Sequence, residues 1–297
     1  MLGEDYRIDL VGRWDDGHSD ATDADAMIAL HARRSADSIA RWADGPKRGP
    51  LAVVLTGTDL YRDIASDAYA ERSLQLADKL VVLHERAVED LPAQYRHKAV
   101  ACFQSTSSRM PLDKPKRHLR ALMVGHLRSE KAPQTYFAAA RRLADREDIL
   151  LDHIGAALDP VFGAEAQSLQ QSCPHYRWLG ALPHADARRR IQAAHVLVHP
   201  SVMEGGAHVV MEAICSGTPV LASRIAGNVG MLGADYDGYF EPGDDEGLAR
   251  MLERCRDDPA ILSRLGAQCA LRAPLFDPAR ERATLRALMA EMLETTA

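Results

Sequence analysis

Two glutamates with seven residues between them, Glu204 and Glu212, enclose the turn Gly205-Gly206-Ala207-His208. Ionised carboxylates only accept hydrogen bonds, which suits paired sugar hydroxyls. The free amides at a helix start suit an anion such as a diphosphate. The apolar run Val196-Leu197-Val198 before the pair reads as a buried parallel strand. Residues 207–215 contain no breaker and read as a helix, closed by Gly217 and Pro219. Val220-Leu221-Ala222 is the next strand. The glycines of this strand, loop, helix, strand unit let the backbone turn tightly against a ligand, and the loop falls where open α/β sheets bind ligands. One short stretch can therefore hold the hydroxyls and the phosphates of a nucleotide sugar. The same spacing also fits a solvated helix with two surface glutamates.

A pair of cations stands upstream. Arg128 and Lys131 follow a strand at 118–124 and precede a helix entered at Pro133. A diphosphate leaving group gains negative charge as a glycosidic bond breaks, and fixed cations stabilise that charge without a metal. No Asp-x-Asp motif stands where a metal-dependent transferase needs one, so no cofactor and no catalytic metal are expected.

Alternating strands and helices around these groups predict an α/β chain with parallel sheets. In the first half, strands are predicted at 6–11, 25–31, 51–55, 79–83 and 99–103, with helices at 32–42, 70–77 and 84–91. Residues 1–5 read as the tail of a helix. No glycine-bearing turn precedes residue 6, so the chain is expected to begin inside the usual first helix and to lack a first strand and helix. Residues 105–116 carry Pro111 and Pro115 and read as a linker. The second half has strands at 118–124, 149–153, 176–179, 195–198 and 220–222. Leu248, Met251, Leu252 and Cys255 mark an amphipathic helix at 245–256. Leu285, Leu288, Met289, Met292 and Leu293 repeat that pattern at the end. The expected domains are 1–112, 113–278 and a final helix at 279–297.

Two strand ends of the first half carry further candidates. One reads His31-Ala32-Arg33-Arg34-Ser35 and the other Thr56-Gly57-Thr58-Asp59-Leu60-Tyr61. Arg33 and Arg34 are read at a helix start, where a cation opposes the dipole. That local cost argues for anion binding. His31 can hydrogen-bond a substrate or cap its strand.

The segment from Glu204 to Glu212 resembles the E-x7-E signature of the large retaining GT-B glycosyltransferase family that includes sucrose synthases. Gly125-His126-Leu127-Arg128-Ser129-Glu130-Lys131 is similar to that family's G-x-L-x-x-x-K segment. The resemblance implies two Rossmann-like domains with parallel sheets facing a cleft, and a last helix crossing back to the first domain. It implies that Glu204 contacts the donor sugar, Glu212 holds the ribose, and Arg128 and Lys131 grip the diphosphate. Gly125, Gly205, Gly206, Ala207, His208 and Asn228 complete the implied donor site. Where the family usually has a His in the second acceptor-side loop, this chain has Thr58-Asp59. Three strings, at 29–36, 55–63 and 223–233, resemble the selenosugar synthases of selenoneine biosynthesis. Those enzymes join selenophosphate to a UDP-sugar such as UDP-N-acetylglucosamine or UDP-glucose. In this reading His31, Arg33, Arg34, Thr56, Thr58 and Asp59 face the acceptor, and the arginines bind its phosphate by forked hydrogen bonds. Selenium in selenophosphate is already nucleophilic at neutral pH, so no general base is required.

Bulk properties narrow the rest. The chain has 297 residues, 46% of them hydrophobic, enough for two ordinary cores. The net charge of −6 advertises no nucleic-acid surface. No long apolar run suggests a membrane span or a signal peptide. The five cysteines form no C-x-x-C, which favours a reduced cytoplasm over disulfides or zinc. Three other readings share the donor site: a transferase acting on a hydroxyl, a nonhydrolysing UDP-sugar epimerase, and a nucleotide-sugar-binding protein without turnover.

Overall fold

The computed structural model describes residues 1–14, 23–45 and 48–294. The chain divides into two units, one of Met1–Ser105 with Pro278–Ala297 and one of Thr106–Asp277. Both are α/β with parallel sheets.

The first unit holds β1 (Met27–Leu30), β2 (Leu51–Val54), β3 (Lys79–Val82) and β4 (Ala99–Ala101), in the order β1-β2-β3-β4. Alternation along the strands sends side chains to two faces. Leu51, Val53, Leu80 and Val82 join Trp14, Ile39, Trp42 and Leu74 in one cluster. Ala52 and Val81 point the other way and meet Leu288 and Met292 of the last helix, Pro278–Glu294. The apolar period of that helix is thus spent on this sheet. Asp67 caps helix Ala68–Leu76, accepting from Tyr69 N at 2.9 Å and Ala70 N at 3.1 Å.

Several expectations for this unit need correction. Residues 6–11 form no strand. Leu10 is 92% exposed and Ile8 56%, and among the described residues β1 pairs only with β2. An apolar run becomes a strand only where a neighbour takes its backbone hydrogen bonds. Residues 1–5 make a turn, closed by Asp5 N and Tyr6 N on Leu2 O and tied by Glu4 and Asp5 to Arg282 and Arg286. The helix expected from residue 32 begins at Ala36. His31 has φ +74°, and Asp59 captures the Ala32 amide, so residues 31–34 turn before the helix starts. Arg33 and Arg34 therefore precede the helix, and the dipole argument does not apply to them.

The second unit holds β5 (Leu119–Val124), β6 (Ile149–Ile154), β7 (Tyr176–Trp178), β8 (Val196–His199), β9 (Val220–Ser223) and β10 (Tyr239–Phe240). Their order is β10-β9-β8-β5-β6-β7. Counted within the unit, this is the doubly wound order 3-2-1-4-5-6, whose direction reverses between β5 and β8. The two-residue strand β10 was not foreseen, being too short to show periodicity. Helix Pro133–Arg142 enters on a proline, and helix Asp245–Asp257 is capped by Asp244. Among the described residues no helix is long and apolar enough to cross a membrane.

One buried histidine of the first unit makes stability depend on pH. His84 is fully buried. Its Nδ1 accepts from Ala87 N at 3.0 Å, and its Nε2 lies 3.3 Å from Tyr61 OH, which itself donates to Asp90. Burial pushes it down from 6.5 to about 4. Between those values the unfolded chain takes up a proton that the native chain refuses. Stability should therefore fall as pH drops from 6.5 to 4, by roughly 2–3 kcal/mol for this group. Urea unfolding across that range should show the slope, and H84Q should flatten it.

Candidate functional site

The reversal between β5 and β8 puts two loops side by side, one leaving each strand. The first, residues 125–131, ends in the short turn Ser129–Lys131. The second runs from Ser201 to Ala207, where helix His208–Ile214 begins. Val202 N donates to Glu130 O at 3.0 Å, joining their backbones. Their side chains meet as well, with Lys131 Nζ 2.5 Å from Glu204 Oε1.

His199, at the end of β8, brings Nε2 within 3.3 Å of the same oxygen. Burial alone would raise the Glu204 carboxyl, but His199 and Lys131 outweigh it and hold it well below the usual carboxylate range. Burial pushes His199 down, against the pull of Glu204. Glu204 is thus an ionised, largely buried acceptor fixed against one ammonium. Gly227 opens the space behind it, because a Cβ there would lie 2.0 Å from Glu204 O. Asn228 is fully buried beside that glycine. It braces β9 by donating to Ser223 O at 2.9 Å and Ser223 Oγ at 3.1 Å, with Oδ1 left unpartnered. Asn228, expected among the donor-site residues, thus sits fully buried next to Gly227.

Glu212 is buried at 4% exposure. Oε1 lies 2.6 Å from His184 Nε2 and 3.7 Å from Arg188 Nη1. Both partners lie on helix His184–Ala193, four residues apart and so on one face. Arg188 also reaches Thr106 Oγ1 and, at 2.9 Å, Ser107 O. Val210 N and Met211 N donate to Ala207 O, so the earlier amides of that helix start have no intrahelical partner. Ala207 is buried, Gly205 buried, Gly206 half-buried and His208 exposed. Arg128 is part-exposed, with Nε 3.9 Å from Glu130.

The first unit gathers its candidates separately. His31, at a left-handed φ that a non-glycine residue rarely adopts, is buried at the end of β1. Its Nδ1 accepts from Arg34 N at 3.3 Å, so Nε2 carries the proton that faces Thr58 Oγ1 at 2.9 Å. Burial lowers its pKa, chiefly against Asp59. Asp59 is fully buried, and its oxygens take Ala32 N, Thr56 N and Thr56 Oγ1. Thr56 and Asp59 thus form the capping box of helix Gly57–Tyr61. This corrects the expectation that Asp59 faces an acceptor: it is a cap that holds the His31 turn. Arg33 is paired with Asp67 at 2.6 Å. Arg34 is exposed and makes no carboxylate pair among the described residues. The arginine pair thus reduces to one available guanidinium.

Sequence reasoning missed His199, His184 and Arg188. The i, i+4 spacing of His184 and Arg188 was readable, but its direction toward Glu212 was not. The capping box at Thr56-x-x-Asp59 was readable and was taken for ligand chemistry. Among the described residues no group of three or more His, Cys, Asp or Glu side chains is placed to hold a metal.

Comparison with known proteins matches residues 105–270 to the family model described as Glycosyl transferases group 1. A D-inositol 3-phosphate glycosyltransferase of Streptomyces griseus is 31% identical over 184 residues, covering 57% of this chain and 38% of that protein. The enzyme of the same description from Streptomyces coelicolor is 25% identical over 283 residues, covering 85% of this chain and 61% of the relative. The chain thus spans less than two thirds of the length of these relatives. Sucrose-phosphate synthase from Thermosynechococcus elongatus superposes with TM-score 0.76 at 20% identity, over 91% of this chain and 74% of the other. HepE of Anabaena, in complex with UDP and glucose, gives 0.74 at 16% identity, over 90% and 77%. The fold is therefore GT-B.

The Lys131–Glu204 contact is testable as a buried pair. K131M alone should destabilise the second unit by about 3 kcal/mol, because it strands a buried carboxylate. Adding E204Q should restore part of that loss. Urea unfolding of the two single variants and the double variant measures the coupling, and additive losses would mean that the contact carries none.

Proposed function

The chain belongs to the glycosyl transferases group 1 family, and on that premise we propose that it transfers the sugar of a UDP-sugar to the selenium of selenophosphate. The donor is UDP-N-acetylglucosamine or UDP-glucose. The bond from the anomeric carbon to the diphosphate oxygen breaks, and its electron pair leaves with UDP. A selenium lone pair forms the C–Se bond. Water then cleaves the Se–P bond, giving the selenosugar and phosphate.

The observation that carries the donor half is the ionised Glu204 fixed against Lys131 at the sheet's reversal. In this reading Glu204 accepts from donor-sugar hydroxyls. Lys131 and Arg128 meet the charge that grows on the leaving diphosphate. Glu212 accepts from the ribose, and the amides at Ala207 and His208 face the phosphates. No residue has to remove a proton from the nucleophile, in keeping with a first unit whose His31 is neutral and holds its proton toward Thr58. Arg34 is the cation offered to the acceptor phosphate. No metal is required, because the cations are built in.

A second reading is favoured by the relatives named D-inositol 3-phosphate glycosyltransferase. The acceptor would then be a hydroxyl of a phosphorylated polyol, with Arg34 serving its phosphate in the same way. Incubating the protein with UDP-N-acetylglucosamine decides between them. UDP release that requires selenophosphate supports the first, and release that requires inositol 3-phosphate supports the second. UDP-sugar isomerised without any acceptor would replace both with an epimerase.

Two further outcomes are expected. E212A should weaken calorimetric UDP binding by about 1.5–3 kcal/mol, the worth of a charged hydrogen bond. R128A and K131A should lower turnover more than they raise the donor KM, since their partner charge develops in the transition state. Turnover should survive EDTA.

A further inference from the structure

We propose that His153 is a positioning residue that ties the start of the diphosphate loop to the helix that follows it. The inference rests on the reading of residues 125–131 as that loop. His153 lies on β6, fully buried, and carries neither substrate chemistry nor solvent contact. Its Nε2 is 3.1 Å from Gly125 O, the first carbonyl of the loop. A carbonyl only accepts, so Nε2 bears the proton. Nδ1 is then the acceptor, and the buried Tyr176 hydroxyl, 3.1 Å away, donates to it.

The same ring packs against the helix that follows the loop. Tyr136 and Phe137 belong to helix Pro133–Arg142, which the loop enters directly. Their rings lie 6.1 and 5.9 Å from that of His153. One imidazole therefore touches where the loop leaves β5 and the first turns of the helix that follows it, with Arg128 and Lys131 between. The loop needs such support. Ala132 closes it at φ +46°, a conformation costly for a residue with a Cβ. Gly155 adds a floor, because a Cβ there would come within 1.9 Å of Gly125 O. An apolar side chain at position 153 would fill the same space without the desolvation cost of an imidazole, so packing alone does not account for the histidine. Burial keeps the ring neutral, pushing it down to about 4, so its donor–acceptor polarity persists at ordinary pH.

The test separates the loop from the rest of the site by comparing UDP with uridine, which lacks the phosphates. H153F should lower UDP affinity about tenfold, the worth of one hydrogen bond, and leave uridine affinity unchanged. H153Q keeps an N–H and should recover most of the loss. Parallel loss of UDP and uridine would show a merely structural role, and unchanged UDP affinity would show none; either overturns the proposal. Should H153F not fold, Y176F decides, with a loss of about threefold for UDP alone expected from freeing the tautomer. Parallel loss, or none, overturns it there too. R128A measured alongside keeps the two ideas apart. If it leaves UDP affinity intact, the diphosphate reading of the loop fails. If it weakens UDP while H153F does not, His153 alone is wrong.

Discussion

The second unit turns on one contact between opposite charges, Lys131 Nζ to Glu204 Oε1. The two residues come from loops that leave β5 and β8, strands adjacent in the sheet but separated in sequence by three α-helices and two strands. Neither charge is tolerable there alone. The carboxylate is largely buried, and an unpaired ion in such a place costs several kcal/mol. The pair therefore fixes two loops against each other and keeps a full negative and a full positive charge ready at the sheet's carboxyl edge.

The surrounding structure can be understood as what this contact requires. Val202 N on Glu130 O sets the backbones at the right separation. Gly227 removes the Cβ that would push Glu204 outward. His199 supplies a third polar group without a third charge, since burial disfavours its protonated form. Glu212 repeats the arrangement on a smaller scale, with a buried arginine and an exposed histidine as neighbours. A transferase needs acceptors that stay ionised and cations that do not wander, and both follow from pairing inside a low-dielectric edge.

Much of this was legible in the sequence, and what was not has identifiable causes. Most of the second unit's strands were readable because they are largely buried and so carry mainly apolar residues. Residues 6–11 alternate apolar side chains with Arg7 and Asp9 as a strand can, yet lack a neighbour to bond with, and a ladder partner is not written in the segment itself. Glu204, Glu212, Arg128 and Lys131 stood out by spacing. Their partners did not, because His199, His184 and Arg188 owe their roles to distances across the fold. Asp59 shows the converse error. A carboxylate beside threonines after a strand looks like a ligand group, but the Thr56-x-x-Asp59 spacing is equally a helix cap, and here the cap takes one oxygen and the Ala32 amide the other.

The two units differ in the way they present polar groups. The second has a reversal in strand order and fills it with charge. The first runs β1-β2-β3-β4 without a reversal among its described strands, so sheet topology provides no crevice there. Its polar groups are instead brought together by a local device: the left-handed His31, held by the Arg34 amide, with the Asp59 cap fixing the turn beside it. Strain of this kind persists only where surrounding hydrogen bonds over-determine it, and here three of them converge within a few residues. A site built this way tolerates little change in the residues that cap the turn. Arg34 itself stays exposed beside that turn. The polar groups of one unit are thus placed by the topology of its sheet, whereas those of the other rest on a single turn.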